Sequence, residues 1–476
     1  MKRSFLSDPK RQIVLAMFLA TFVAYVERVG FSISFTSLAQ KAHLDESIKG
    51  SVLSAFYCGY GVSQIPGGWA AQLYGGRIML ILCFLAWSTV SIFTPTDPTN
   101  TVGIVFARVL VGLAQGFLIP AVHTVLALWI PPHEKARAVS FTTSGMYLGS
   151  AAAMSILPSL ANAIGAQKLL AFDGAIGYAW LAFWLMVGRD AVGRKGGSLL
   201  PLSVRGGMGE KGSNGGGGIA ESGVGMELSS NYNSNSTFKN SHNTVISSSS
   251  NSYSNSSNNN AVNSSTLPLG KMMTHPAIWA IVINNFSFHF GFYVVMNWMP
   301  TYFSKVIHSD LSSLGLAAKT LPYLTMFLMS NVGGWTGDWL ILHHHYTVAA
   351  ARKTVNTIGF ITSGLMLMLM PAATGVFSGV MATTLTLGSL GFARGGFSVN
   401  HMDIAPRFAG VVMGVSNTAG TLSGVIGVAA TGFILDSFGG ASVVQGWYYA
   451  HALCACVGIM AMVLFNSFAR GEKIFD

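Results

Sequence analysis

Apolar runs of membrane-spanning length recur along this chain, separated by short polar turns. About 20 apolar residues suffice to cross the hydrocarbon core as a helix. Twelve such stretches stand out, centred near residues 24, 61, 87, 115, 150, 180, 290, 329, 363, 389, 421 and 456. Six lie before residue 190 and six after 272. The stretch between them has another character. It ends in SSNYNSNSTFKNSHNTVISSSSNSYSNSSNNNAVNSS, has no apolar face with which to fold, and reads as disordered and solvent-exposed. The pattern therefore predicts a six-helix bundle over residues 1–190, a Gly/Ser/Asn-rich linker over 191–271 and a second six-helix bundle over 272–476.

Composition agrees with this division. With 51% hydrophobic and only 9% charged residues among 476, the chain is an all-α, multi-pass membrane protein. The formal charge of +10 is largely a topology signal, because the basic residues gather on one side of the spans. That side holds Lys2, Arg3, Lys10, Arg11, Arg77, Lys135, Arg137, Arg352, Lys353, Arg407, Arg470, Lys473 and the basic residues of the linker. The opposite side holds Lys41, Lys49, Lys168, Lys305 and Lys319. The basic side, with both termini and the linker, is expected to be cytosolic. A nucleic-acid partner is not expected, and no protein partner is evident. Sequons such as Asn235-Ser236-Thr237 fall in the linker, away from the glycosylation machinery.

The four cysteines, Cys58, Cys83, Cys454 and Cys456, all fall within spans and act as small apolar residues. No disulfide or zinc spacing appears, and no metal or cofactor is expected. About eleven residues precede the first span, without a long Ser/Arg-rich, acid-poor extension, so plastid import is not expected.

Charge inside the spans carries the chemistry. Arg28, Arg108 and Arg394 lie within otherwise apolar stretches, and one carboxylate, Glu27, is placed at comparable depth. An arginine near the middle of a membrane helix costs about 2.5–3.5 kcal/mol even on insertion scales, so it faces protein or a wet cavity and has a partner. With too few carboxylates, the expected partner is an anion. The alternative is structural: pairing with Glu27 or with helix-end carbonyls, an alternative that weighs most for Arg394. Adjacent helix residues point about 100° apart, so Glu27 is expected to reach Arg108 or a polar wall instead of sharing the face of Arg28.

The halves echo each other. Gly67-Gly68-Trp69 closes the second span of one half and Gly333-Gly334-Trp335 that of the other, and Arg108 in span four has Arg394 in span ten as its counterpart. Duplicated six-helix halves are a transporter device, with the substrate held between two rocking bundles.

Longer motifs sharpen the picture: GYGVSQIPGGW (59–69), WIPPHEKARAVSF (129–141), SGMYLG (144–149), NWMPTYF (297–303), GGWTGDWL (333–340), FSVNHMDIAPRFAG (397–410) and MGVSNTAGTLSG (413–424). Across both halves the chain resembles the anion:cation symporters of the major facilitator superfamily, most of all the plant-type phosphate transporter family 4 and its Golgi branch. That resemblance implies twelve transmembrane helices in two six-helix bundles, with spans one, four, seven and ten lining a central cavity. Arg28, Arg108, His289 and Arg394 fall on those four spans. Relatives carry substrate-binding arginines at the positions of Arg28 and Arg108. Seven residues after Arg108, where vesicular members carry a coupling glutamate, this chain has Gln115, which can hydrogen-bond but cannot titrate. Leu53 and Phe288 stand where vesicular glutamate carriers have a histidine and an arginine, which argues against glutamate.

His289 sits mid-span among Asn284, Asn285, Tyr293 and Asn297, either as a packing residue or in a polar-aromatic cavity wall, with Tyr293 one turn on. His343-His344-His345 reads as a hydrated loop edge, since a metal site needs spaced ligands. Asp338, with Arg352 and Lys353, resembles the cytosolic gating motif of the superfamily. Its first-half equivalent keeps Arg77 but has Gln72 and Leu73 in place of the acidic and basic pair. Glu134, Arg137, Asp403 and Arg407 are read as latches between the bundles. Gly215–Gly218 lacks a following G-K-S/T and cradles no nucleotide. No nucleophile–base pair or metal cluster supports an enzyme.

The expected function is alternating-access transport of inorganic phosphate, coupled to protons or sodium. Arg28 and Arg108 bind the anion, Gln115, His289, Tyr293 and Arg394 assist, and Glu27 is the coupling carboxylate. An organic anion such as a hexuronate, sialate, dicarboxylate or glutamate-like acid is the alternative substrate, and a non-transporting sensor acting through the linker is the alternative from another class. The branch resemblance points to the Golgi or another endomembrane, with the plasma membrane as the alternative.

Overall fold

The computed structural model describes residues 8–44, 46–188, 269–309 and 315–475. The linker expected over 191–271 therefore lies almost wholly outside the described residues. Fifteen α-helices in chain order carry the twelve stretches: α1 Pro9–Lys41, α2 Glu46–Tyr74, α3 Gly76–Ile92, α4 Thr101–Gly116, α5 Leu118–Trp129, α6 Lys135–Ile164, α7 Ala166–Val187, α8 Leu269–Thr274, α9 Pro276–Lys305, α10 Gly315–His343, α11 Val348–Leu369, α12 Val376–Phe397, α13 Asn400–Ile404, α14 Ala409–Ser437 and α15 Val444–Phe468. Nine helical stretches among the described residues are long and apolar enough to cross a membrane, and α3 adds a shorter apolar one of 17 residues. The remaining two, α2 and α10, have 29 residues each, about 43 Å at 1.5 Å per residue.

Two of the expected spans are interrupted. The fourth divides at Phe117 into α4 and α5, and the tenth divides after Phe397 into α12 and α13. Elsewhere the helix ends follow local chemistry. Asn100 caps α4 by accepting the Gly103 amide, Thr347 caps α11 by accepting that of Ala350, and Pro276 opens α9 where no donor is missed. Gly75, at φ +88°, turns the chain between α2 and α3, a conformation that a side chain resists.

The first bundle packs around Trp87, Phe84, Trp180 and Trp184, with Phe84 stacked on Trp180 at 3.7 Å between ring centres. In the second, Tyr302, Phe303 and Trp447 form an apolar cluster between α9 and α15. Between the bundles runs a seam where α2 lies on α14 and α6 on α10. Small residues make this approach possible: a methyl added at Gly68 would stand 2.5 Å from the Gly410 carbonyl oxygen, and one at Gly414 would stand 2.5 Å from that of Gln64. Without hydrophobic drive inside a bilayer, such close backbone packing is what joins helices. After α15 the chain returns to the seam, where the amides of Ile474 and Phe475 both donate to the Ile404 carbonyl at the end of α13.

Candidate functional site

Glu27 and Arg28 leave α1 in different directions, and α4 answers both. Arg108 Nη1 donates to Glu27 Oε1 at 2.7 Å, and Gln115 Nε2 donates to Glu27 Oε2 at 2.8 Å. Two turns of helix separate Arg108 from Gln115, so both face α1. The carboxamide oxygen of Gln115 then accepts from Arg28 Nε at 2.9 Å. One glutamine thus links a carboxylate and a second guanidinium. Glu27, Arg108 and Gln115 are all buried, at 2%, 4% and 0% exposure.

Arg28 is only partly covered. Its guanidinium carbon sits 4.6, 4.5 and 4.4 Å from the ring centres of Tyr25, Phe56 and Tyr60. Such faces attract a cation through the ring quadrupole. Arg28 Nη2 has no hydrogen-bond partner among the described residues. Arg108 lies 3.8 Å from the centre of Phe31 and also keeps one unpartnered nitrogen, Nε. Arg108 binds Glu27 directly, and Arg28 is linked to the same carboxylate through Gln115.

Across the seam, Arg394 on α12 is 3% exposed and donates from Nη1 to the Tyr147 hydroxyl on α6 at 2.9 Å. It is therefore a bridge between bundles as well as a buried cation. His289 spends Nδ1 on the Asn285 carbonyl of its own helix, and its ring covers Gly420 on α14. Tyr293 packs over Gly424, with its phenol within electrostatic reach of Arg28, Tyr25 and Tyr57. The neighbouring asparagines serve as ties: Asn285 donates to the Ser416 carbonyl of α14, and Asn284 pairs with Asn356 of α11. Tyr60, part of the ring cage around Arg28, accepts from Asn417 on α14.

The seam is closed on the basic face. Asp338 of α10, 1% exposed, accepts from the Arg137 amide at 2.9 Å, and its Oδ2 lies 3.3 Å from Arg137 Nε. Arg352 binds Asp338 at 3.5 Å and Asp403 at 3.0 Å, so Asp403 is paired within its own bundle. Glu134 meets its neighbour His133 at 3.9 Å, inside its own loop, and Arg407 lies over the ring of Phe408. Arg77 accepts the Trp184 indole on its backbone carbonyl, a tie within the first bundle. Of the residues read as latches, Arg137 reaches across the seam to Asp338. Hydrogen bonds that cross the seam include Gln64–Thr421, Tyr60–Asn417, Ser144–Asn331 and Tyr147–Arg394, and toward the basic face His123–His401, Lys135–Met402 and Arg137–Asp338.

Three features escaped the sequence reading. His123 and His401 stand 2.8 Å apart across the seam, both fully buried. Lys135 donates to the Met402 carbonyl at 2.8 Å. His401 and Met402 lie inside the FSVNHMDIAPRFAG motif. The third is a correction: Glu27 is not the only carboxylate at depth, because Asp173 on α7 is 2% exposed and packs against Gly30. It falls near the start of the sixth apolar stretch, where a charge reads as a flank. Arg108 finds its partner in Glu27, as the helix geometry suggests, and Arg28 Nη2 and Arg108 Nε each remain without a hydrogen-bond partner among the described residues. Among the described residues no three His, Cys, Asp or Glu side chains gather as metal ligands, the 343–345 histidines included.

Comparison with known proteins follows the same lines. The family model described as Major Facilitator Superfamily matches residues 17–428. "Probable anion transporter 5" of Arabidopsis thaliana is 40% identical, covering 98% of this chain and 99% of that one. Two further Arabidopsis thaliana proteins are each 28% identical over 98% of this chain: "Sodium-dependent phosphate transport protein 1, chloroplastic", of which 81% is covered, and "Ascorbate transporter, chloroplastic", of which 76% is covered. Among solved structures, the proton:xylose symporter XylE superposes with a TM-score of 0.63 at 14% identity, covering 98% of each chain.

Proposed function

We propose that this chain, which belongs to the Major Facilitator Superfamily, carries inorganic phosphate across its membrane by alternating access, driven by a proton or sodium gradient. Membership and the relatives named as anion transporters support a multi-pass membrane carrier of small anions and no enzyme. The observation that carries the substrate reading is Arg28: Nε held by Gln115, Nη2 buried without a hydrogen-bond partner among the described residues, and the guanidinium flanked by three rings. A fixed guanidinium with a free edge suits an oxyanion that accepts two parallel hydrogen bonds. The relative named as a sodium-dependent phosphate transport protein adds weight to phosphate.

In this mechanism phosphate docks on Arg28, with Tyr293 and His289 completing the wall from the second bundle. Its charge pulls on Gln115 and through it on Glu27. A cation neutralising Glu27 would release Arg108 to share the anion, so that substrate and driving ion arrive together. Arg394 ties the two bundles through the Tyr147 hydroxyl, and Arg137, Asp338 and Arg352 hold the basic face shut until occupancy favours the opposite state. Unoccupied, the crowded guanidiniums repel one another and oppose closure around the site.

Uptake of labelled phosphate into liposomes bearing the purified protein, under imposed proton or sodium gradients, tests this reading. Arg28→Ala and Arg108→Ala should abolish it. A second reading is an organic anion: the rings of Tyr25, Phe56 and Tyr60 could stack on a planar acid, and one relative is named an ascorbate transporter. Saturating ascorbate or hexuronate that fails to compete with phosphate would set it aside. The compartment in this reading is the Golgi or another endomembrane, with the basic face cytosolic and the plasma membrane as the alternative. Imaging of a fluorescent fusion beside compartment markers decides it.

A further inference from the structure

Asp173 sits on α7 in a place that makes an ionised carboxylate costly. It is 2% exposed, and neither Oδ1 nor Oδ2 has a hydrogen-bond partner among the described residues. Within one turn of it on α7, Leu169 and Ile176 pack into an apolar cluster with α1 and α6, and Leu170 into one with α1, α2 and α4. Facing it on α1 is Gly30; a methyl group there would strike both carboxylate oxygens. The glycine therefore opens the space that Asp173 fills, one helical turn from Glu27.

The charged neighbours are few. Glu27 on α1 and Arg108 on α4 are close enough for their charges to act on Asp173. The charges of α3 (Arg77) and α6 (Lys135, Arg137) lie at the far, basic ends of those helices, and Lys168, on α7 itself, is exposed. Arg108 is already bonded to Glu27 at 2.7 Å. A carboxyl buried without a partner avoids the cost of its charge by binding a proton.

We propose that Asp173 is a proton-binding site in series with Glu27, and that the coupling ion is therefore a proton. The assignment of coupling rests on the transport reading above; the proton on Asp173 does not. Transfer from Asp173 to Glu27 breaks one O–H bond and forms another, with net charge unchanged. Glu27 becomes neutral and lets go of Arg108, whose guanidinium then turns to the anion or to the new Asp173 carboxylate.

Difference infrared spectroscopy on the purified full-length protein reads the proton directly. The wild type should show the carbonyl stretch of a protonated carboxyl at neutral pH, Asp173→Asn should lose it, and Glu27→Gln should keep it. Absence of the band in the wild type, or its loss in Glu27→Gln but not in Asp173→Asn, overturns the proposal whether or not any substrate is known. In liposomes, Asp173→Asn should lose proton-driven phosphate accumulation and the pH dependence of uptake. Wild-type uptake driven by sodium alone overturns the coupling assignment. A wild type that carries no phosphate under any gradient sinks the transport reading, and the infrared result still stands for Asp173. Asn is neutral and of equal size, so an unchanged unfolding temperature excludes misfolding as the cause; if Asn fails to fold, Asp173→Leu takes its place in the infrared comparison.

Discussion

Arg108 and Glu27 form a salt bridge of 2.7 Å that is almost dry, at 4% and 2% exposure. Removing one partner of a buried pair leaves the other charge stranded, at a cost of about 3–5 kcal/mol. Glu27→Ala should therefore lower the unfolding temperature markedly. Arg108→Ala should do so as well, and the double variant should be less unstable than the sum of the two. Thermal unfolding of the four proteins in detergent completes the cycle.

Arg28 calls for a different expectation, because its fork is only half engaged. Arg28→Lys keeps the charge but loses the planar donors and the fit among Tyr25, Phe56 and Tyr60. Loss of about 1.4 kcal/mol of anion binding corresponds to a tenfold rise in KM. Uptake kinetics should show that rise, while the unfolding temperature stays near that of the wild type.

On the basic face, Asp338 receives Arg137 from the other bundle and Arg352 from its own. Asp338→Asn removes the charge that both arginines share. Spin labels at His133 and His344, on exposed turns of opposite bundles, should then report a distance distribution spread toward longer values. An unchanged distribution would deny Asp338 a role in closure.

The seam itself can be wedged. A Cβ at residue 68 would stand 2.5 Å from the Gly410 oxygen and 2.8 Å from Val411 Cα, both backbone atoms that cannot swing aside. Gly68→Val should leave each bundle folded yet hold the basic face apart. Spin-label distances should lengthen, and uptake should fall at least about tenfold, the effect of 1.4 kcal/mol against closure. Gly270→Val, at a position with open space around it, is the control.

The helical spans were legible because apolar length is a one-dimensional property. All twelve expected centres fall on helices or, for residues 115 and 389, on the longer piece of an interrupted span. The reach of Glu27 toward Arg108 also followed from the angular offset of successive helix residues. What the sequence could not convey is which side chains meet across the seam. His123 and His401 are 278 positions apart, and nothing local to either marks the other. Asp173 was hidden for a related reason: its burial comes from Gly30 on another helix, and a window centred on residue 180 treats it as a boundary charge.

The tail beyond α15 is structural, because its amides at Ile474 and Phe475 take up the carbonyl of Ile404 that ends α13. α13 also supplies His401 and Met402 to the seam. The residues after α15 thus fasten the helix that carries His401 and Met402 into the seam. A reporter or purification tag appended there should disturb that fastening, and transport measured with and without the tag should differ.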